Sequence, residues 1–254
     1  MIQDPESLLA YEWTYQTTGE AITSFKKDTA TRDITVSVWA DSKGEFNVLM
    51  NRAADIFETD INETMPGKLY FGEAYMNCYI YGADYSDFEE DFYTTDKKLK
   101  IVTDDPNWIR ETVTSFYAGV NEETGANNLD YNYDFPFDYA SGLKGQPLIN
   151  DAVSGCDFRM IIYGSCANPE ILIGGHKYAV SASLEDSEYL VIDSATKKIY
   201  KVKPNGEIVN QYYLQDKEYY IFREIPSGRN SVSWNGLFGF DIILYEKRSE
   251  PRWT

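Results

Sequence analysis

Ile199-Tyr200-Lys201-Val202-Lys203-Pro204-Asn205-Gly206-Glu207-Ile208 reads as two short strands joined by a tight turn. Ile199 to Val202 and the stretch from Ile208 onward flank Pro204-Asn205-Gly206, where Asn and Gly both accept positive φ, a strong hairpin signal. Working outward, the same grammar repeats. Arg159 to Tyr163 and Tyr189 to Ile192 are apolar runs, and Tyr178, Val180, Ala182 and Leu184 alternate with other residues. Tyr219 to Phe222 reads as a strand, Pro226-Ser227-Gly228 as a turn and Asn230 to Trp234 as a further strand. Phe238, Phe240, Ile242 and Leu244 close the series on one face. Short strands at regular spacing without a helical period predict an antiparallel sandwich over residues 148–254.

The first half differs. Ile34, Val36 and Val38 alternate with polar residues inside Thr31–Ala40 and predict a half-buried strand. From Glu45 to Ile61 the period changes: Phe46, Leu49, Met50, Ala53, Ile56, Phe57 and Ile61 recur at three- and four-residue steps, which predicts the one main helix. Met65-Pro66-Gly67 opens a turn beyond it. Leu69 to Tyr81 reads as one or two strands bent at Gly72-Glu73, Asp84 to Asp91 as an acidic loop or edge, and Lys98 to Val102 as another strand. Asn107 to Tyr117 reads as a strand leading out of this domain. Residues 119–147 are rich in Asn, Asp, Gly, Tyr and Pro, so they form the expected connection between domain 1–118 and domain 148–254. The expected fold class is mainly β, an α+β domain with one main helix followed by a β-sandwich.

The 254 residues include 43% hydrophobic and 15% aromatic side chains, enough for packed cores. The 41 acidic residues exceed the 23 basic ones and give a net charge of −18, which repels phosphate backbones and anionic membranes. No run of about eighteen apolar residues is present, so no membrane helix is expected. The start, Met1-Ile2-Gln3-Asp4-Pro5-Glu6, lacks the pattern of a signal peptide. Cys78, Cys156 and Cys166 are three and irregularly spaced, as expected for reduced thiols in a protein made in a reducing cytoplasm.

Two stretches carry a family resemblance. One holds Asp60-Ile61, Pro66-Gly67-Lys68-Leu69-Tyr70, Tyr75-Met76-Asn77-Cys78-Tyr79-Ile80 and Asp105-Pro106-Asn107-Trp108-Ile109. The other is the ending, Trp234-Asn235-Gly236, then Phe240-Asp241-Ile242-Ile243-Leu244-Tyr245-Glu246-Lys247-Arg248-Ser249-Glu250-Pro251-Arg252-Trp253. Together they resemble siphophage distal tail proteins over most of the chain. The resemblance implies a ring-forming N-terminal belt domain, a galectin-like C-terminal sandwich and a homohexamer at the virion tail tip. Its implied partners are the tail tube protein on one side, a tail-associated hub protein on the other, and receptor-binding or peripheral baseplate proteins on the outer domain. A ring needs two different contact surfaces per subunit. The candidate subunit contacts are Tyr70, Tyr75 and Tyr79, with Tyr131, Tyr133, Phe135 and Phe137 in the alternating acidic–aromatic run Asp130–Tyr139. Their other reading is ordinary core strand and ordinary loop.

Catalytic chemistry is not expected. His176 is the only histidine, no Gly-x-Ser-x-Gly elbow is present, and neither zinc-ligand pairs nor a Gly-rich phosphate loop occurs. Glu185, Asp186 and Glu188, like Asp87, Glu89, Glu90 and Asp91, read as solvated loops and not as glycosidase pairs. Asp130, Asn132 and Asp134 lack the Gly and closing Glu of a calcium loop, so no metal or cofactor is expected. The alternative to a tail-tip ring is a carbohydrate-binding protein recognising a bacterial cell-wall glycan. For that function Tyr189, Tyr219 and Trp234 are the candidate stacking residues, with Tyr212, Tyr213 and Tyr220 beside them.

Overall fold

A computed structural model describes residues 6–89, 93–119 and 146–252. The chain divides into two compact units, one of residues 1–110 with 247–254, the other of residues 111–246.

The first unit starts with a short helix, α1 (Glu6–Leu9), and a hairpin of β1 (Thr14–Thr18) and β2 (Ala21–Lys26). β3 (Ala30–Trp39), helix α2 (Lys43–Glu63), β4 (Gly67–Phe71), β5 (Ala74–Glu89) and β6 (Thr94–Thr103) follow, and β7 (Trp108–Phe116) leads out. β6 pairs antiparallel with β3 along its whole length and with the distal half of β5. β4 and the start of β7 both pair with the first residues of β5. Alternation sets the core. Thr95, Lys97, Leu99, Ile101 and Thr103 of β6 point inward, and Ile34, Met76, Cys78 and Trp108 join them. The acidic stretch from Asp84, expected as loop or edge, continues β5 as far as Glu89. It is paired by charge as well as by backbone, since Lys100 Nζ lies 2.8 Å from Asp84.

The predicted helix forms with two more residues at each end. Ser42 is its N-cap: its Oγ accepts from the Glu45 N–H at 3.3 Å, while the Glu45 carboxylate reaches back to the Asp41 N–H at 3.4 Å. This is a near-capping box that serves two otherwise unpaired donors. Thr64 in left-handed conformation ends the helix. Ser42→Ala is expected to lower stability by about 1 kcal/mol, the usual worth of an N-cap hydroxyl. Urea unfolding checks it, and an unchanged midpoint would show that the cap contributes nothing.

The second unit contains β8 (Leu148–Asn150), β9 (Asp157–Tyr163), β10 (Cys166–Ala167), β11 (Glu170–Ile173), β12 (His176–Ala179) and β13 (Ser183–Leu184). It continues with β14 (Tyr189–Asp193), β15 (Lys198–Val202), β16 (Ile208–Asn210), β17 (Gly228–Asn230), β18 (Val232–Trp234) and β19 (Phe240–Arg248). Within it, β16-β15-β14-β9-β19 form one antiparallel layer and β12-β11-β18 the other, so it is the expected sandwich. Phe158, Met160, Ile162, Leu190, Ile192, Phe240, Ile242 and Leu244 line the inner face of the first layer. Ile171, Ile173, Tyr178 and Val232 meet them from the second.

Two local expectations are corrected. Only Gly206 of the Pro204-Asn205-Gly206 turn takes positive φ (82°). Pro204 fixes its own φ near −65°, so the Gly206 N–H bonds to Lys203 O at 2.9 Å and the left-handed residue follows that turn. Tyr219–Phe222 is not a strand: Tyr219 and Tyr220 are exposed while consecutive Ile221 and Phe222 are both buried, which a pleat cannot do.

Candidate interaction surfaces

The first unit leaves two apolar surfaces uncovered by its own core. The β1–β2 hairpin carries Tyr15 opposite Phe25, with ring centroids 6.4 Å apart and Ile22 two pairs along. All three side chains are more than half exposed. The hairpin's base is anchored. Lys27 Nζ donates to Asn107 Oδ1 at 2.7 Å and lies 4.9 Å from the Trp13 ring, and its burial lowers its pKa, with Asp105 opposing. The second surface is the outer side of α2. Phe46 is the only fully buried residue of this helix, Phe57 packs against the core from a half-buried position, Leu49 is partly exposed at the cleft between helix and sheet, and Val48 and Ile56 face solvent. An amphipathic helix of this length usually buries a whole stripe.

The expected contact residues separate. Tyr70 of β4 is 60% exposed, whereas Tyr75 is buried beneath it, the two rings 5.7 Å apart with Lys68 Nζ 3.8 Å above Tyr75. Tyr79 is half-buried on β5. Tyr131, Tyr133, Phe135 and Phe137 lie outside the described residues, as do Asp130, Asn132 and Asp134. The stacking candidates do not converge. Trp234 packs against Phe116 (5.8 Å) and Phe240 (5.2 Å), and its indole N–H donates to Phe238 O at 2.9 Å. Tyr189 is half-buried on β14, and Tyr219 stands beside Lys177 and His176.

Compared with known proteins, the sequence matches no family model and no curated relative. Solved structures do match. SPP1 Dit, described as a paradigm of the hub adsorption apparatus in phages infecting Gram-positive bacteria, aligns with 94% of this chain and 89% of its own at a TM-score of 0.52 and 11% identity. The phage P2 baseplate in its activated conformation with Ca contains a chain aligning with 96% of this one and 89% of its own, at a TM-score of 0.59 and 13% identity. The same baseplate with Sr gives the same values. The fold is shared with SPP1 Dit and with that baseplate chain.

The single histidine is tied to its neighbours and two of the thiols are buried. His176 Nε2 lies 3.0 Å from Tyr220 O and its Nδ1 3.4 Å from Arg223 Nη1. Cys78 and Cys156 are buried free thiols whose pKa burial pushes up to about 11, away from the thiolate form. Among the described residues no three His, Cys, Asp or Glu side chains are grouped to hold a metal ion, and no helix is long and apolar enough to cross a membrane.

Glu188, expected in a solvated loop, is instead buried. It accepts from the Glu185 N–H at 2.8 Å and from Lys201 Nζ at 3.0 Å, and these bonds hold its carboxyl below the ordinary glutamate range. A lowered folded-state pKa stabilises the fold above the unfolded value, and that contribution is lost as pH falls through the folded one. The melting temperature is therefore expected to drop on acidification through the glutamate range. Glu188→Gln should flatten part of that drop, and superimposable pH profiles of the two proteins would remove Glu188 from the account.

Proposed function

We propose that the chain is a structural component of a phage tail tip, assembling as a homohexameric ring that joins the tail tube to the hub and receptor-binding apparatus. The observation that carries this reading is the pair of unlike apolar surfaces on one unit, the Tyr15–Ile22–Phe25 hairpin face and the Val48–Ile56 side of α2. A closed ring is built from heterologous contacts, in which each copy offers one surface forward and a different one back. The hairpin of one copy seats on α2 of the next, with Tyr70 at the margin. Exposed patches of this kind on a soluble unit mark interaction sites. Tail tube and hub proteins then meet the two open ends of the ring, and the second unit is the attachment point for peripheral proteins.

Native mass spectrometry with negative-stain imaging over a concentration series tests the reading. Six-subunit rings with an open centre are the expected result. A monomer at every concentration overturns a self-assembling ring.

A further inference from the structure

We infer that the outer face of the second unit's larger sheet carries a binding cleft for an anionic saccharide, a sugar bearing a phosphate or carboxylate. This inference does not rest on the ring. The cleft has a volume of about 530 Å³, within the range of small-ligand sites, and lies over β9, β14, β15 and β16. Strand register builds it. Asp193 pairs with Arg159 across β14–β9 and with Lys198 across β14–β15, so Arg159, Asp193 and Lys198 share one face. Asp193 Oδ2 accepts from Arg159 Nε at 3.1 Å and Nη2 at 2.8 Å, and Oδ1 accepts from the Thr196 N–H at 3.0 Å. The guanidinium is thereby fixed in place with its Nη1 edge left for a ligand.

Charge decides the ligand's sign. The protein as a whole carries −18, yet Arg159, Lys197 and Lys198 line this cleft against the single carboxylate of Asp193. Asp157 lies 3.8 Å from Lys197 Nζ, and even with it included cations outnumber carboxylates. Lys198 has no ion-pair partner among the described residues and projects from the exposed side of β15. A local reversal of sign on an acidic protein concentrates anions at one place.

The remaining lining points to a sugar. Tyr200 stands on the cleft face of β15, and Tyr212 flanks the cleft, its ring stacked on Phe222 at 5.9 Å and therefore held in one orientation. Fixed aromatic faces take the apolar side of a pyranose. Asn210 Oδ1 is occupied by the Tyr212 N–H at 2.9 Å, which leaves its amide donors for hydroxyls. An acidic peptide added as a strand is disfavoured, because the edge strand β16 offers only three residues of ladder.

The test is ligand-detected saturation-transfer NMR on the full chain at low salt, with glucose phosphate and glucuronate as probes and glucose and an oligoglutamate peptide as comparisons. Transfer to the two charged sugars is expected, weakening with added salt because exposed ionic contacts are screened. Lys198→Glu and, separately, Tyr212→Ala should each weaken it about tenfold, the scale of losing one such contact. Unchanged melting temperatures check that both surface variants are folded. No transfer to either charged sugar, equal transfer to glucose, transfer to oligoglutamate alone, or full binding by both variants each overturns the proposal.

Discussion

Phe240→Ala is expected to cost about 3–5 kcal/mol, the range for removing a buried aromatic ring and leaving a cavity. Phe240 is fully buried on the inner face of β19. Its ring is stacked on Phe116 at 4.7 Å with planes 12° apart, and it meets Trp234 edge-on at 5.2 Å and Phe238 at 6.1 Å. Each aromatic pair adds roughly 0.5–1.5 kcal/mol beyond burial, so the loss falls toward the upper end of the range. A domain is stable by only about 5–15 kcal/mol, so one substitution removes a large share. The second unit should unfold at a much lower urea concentration, with the slope of the transition preserved. Tyr213→Ala is the companion: at 69% exposure with no ring contact among the described residues, it should stay within about 0.5 kcal/mol of the parent. A loss below about 1.5 kcal/mol for Phe240→Ala would mean that neighbouring rings collapse into the space, and the four-ring cluster would not be the keystone of the sandwich.

The same residue shows why much of the fold could be read in advance. Phe238, Phe240, Ile242 and Leu244 alternate, and all four are buried on one face. Helix α2 was legible for the equivalent reason, a 3.6-residue period, and β3 and β6 by period two. What escaped lacks an apolar stripe that a period could reveal. The β1–β2 hairpin shows no inward stripe, since its large side chains point to solvent, and the stretch of β5 from Asp84 is held by β6 through backbone pairing and the Asp84–Lys100 charge pair. Tyr219–Phe222 misled in the opposite sense, its apolar residues serving as anchors of a turn.

The cleft was legible only in part. Tyr212 stood out as an aromatic candidate, but Arg159, Asp193 and Lys198 are ordinary charged residues at strand positions. Their convergence is set by ladder register, Asp193 opposite Arg159 on one side and Lys198 on the other. Register is a tertiary property that the local pattern of any single strand does not carry. The candidate contacts divide in the same way. Tyr70 and Tyr75 are opposite one another on β4 and β5, yet one is exposed and the other buried.

Two variants, each damaged on one proposed surface, give the sharpest test of how copies meet. Tyr15→Asp with Phe25→Asp places charges on the hairpin face, and Val48→Asp with Ile56→Asp places them on the outer side of α2. Each of these side chains is exposed in the isolated unit, so the substitutions leave its own core intact. At an interface, a large apolar side chain contributes about 2 kcal/mol or more, and a buried unpaired charge costs further. The loss corresponds to at least about a hundredfold in affinity per junction. Either variant alone is therefore expected to be monomeric where the parent forms rings. Mixed in equal amounts they should form a dimer and stop there. The intact helix of the first accepts the intact hairpin of the second, but the surfaces left over are both damaged. That outcome is specific to heterologous contact: an isologous interface, hairpin to hairpin or helix to helix, would give no cross-dimer between one variant and the other. Size-exclusion chromatography with light scattering reads it directly. Rings that persist in either variant would move the subunit contact elsewhere on the first unit, and a mixture that remains monomeric would break the pairing of hairpin with helix.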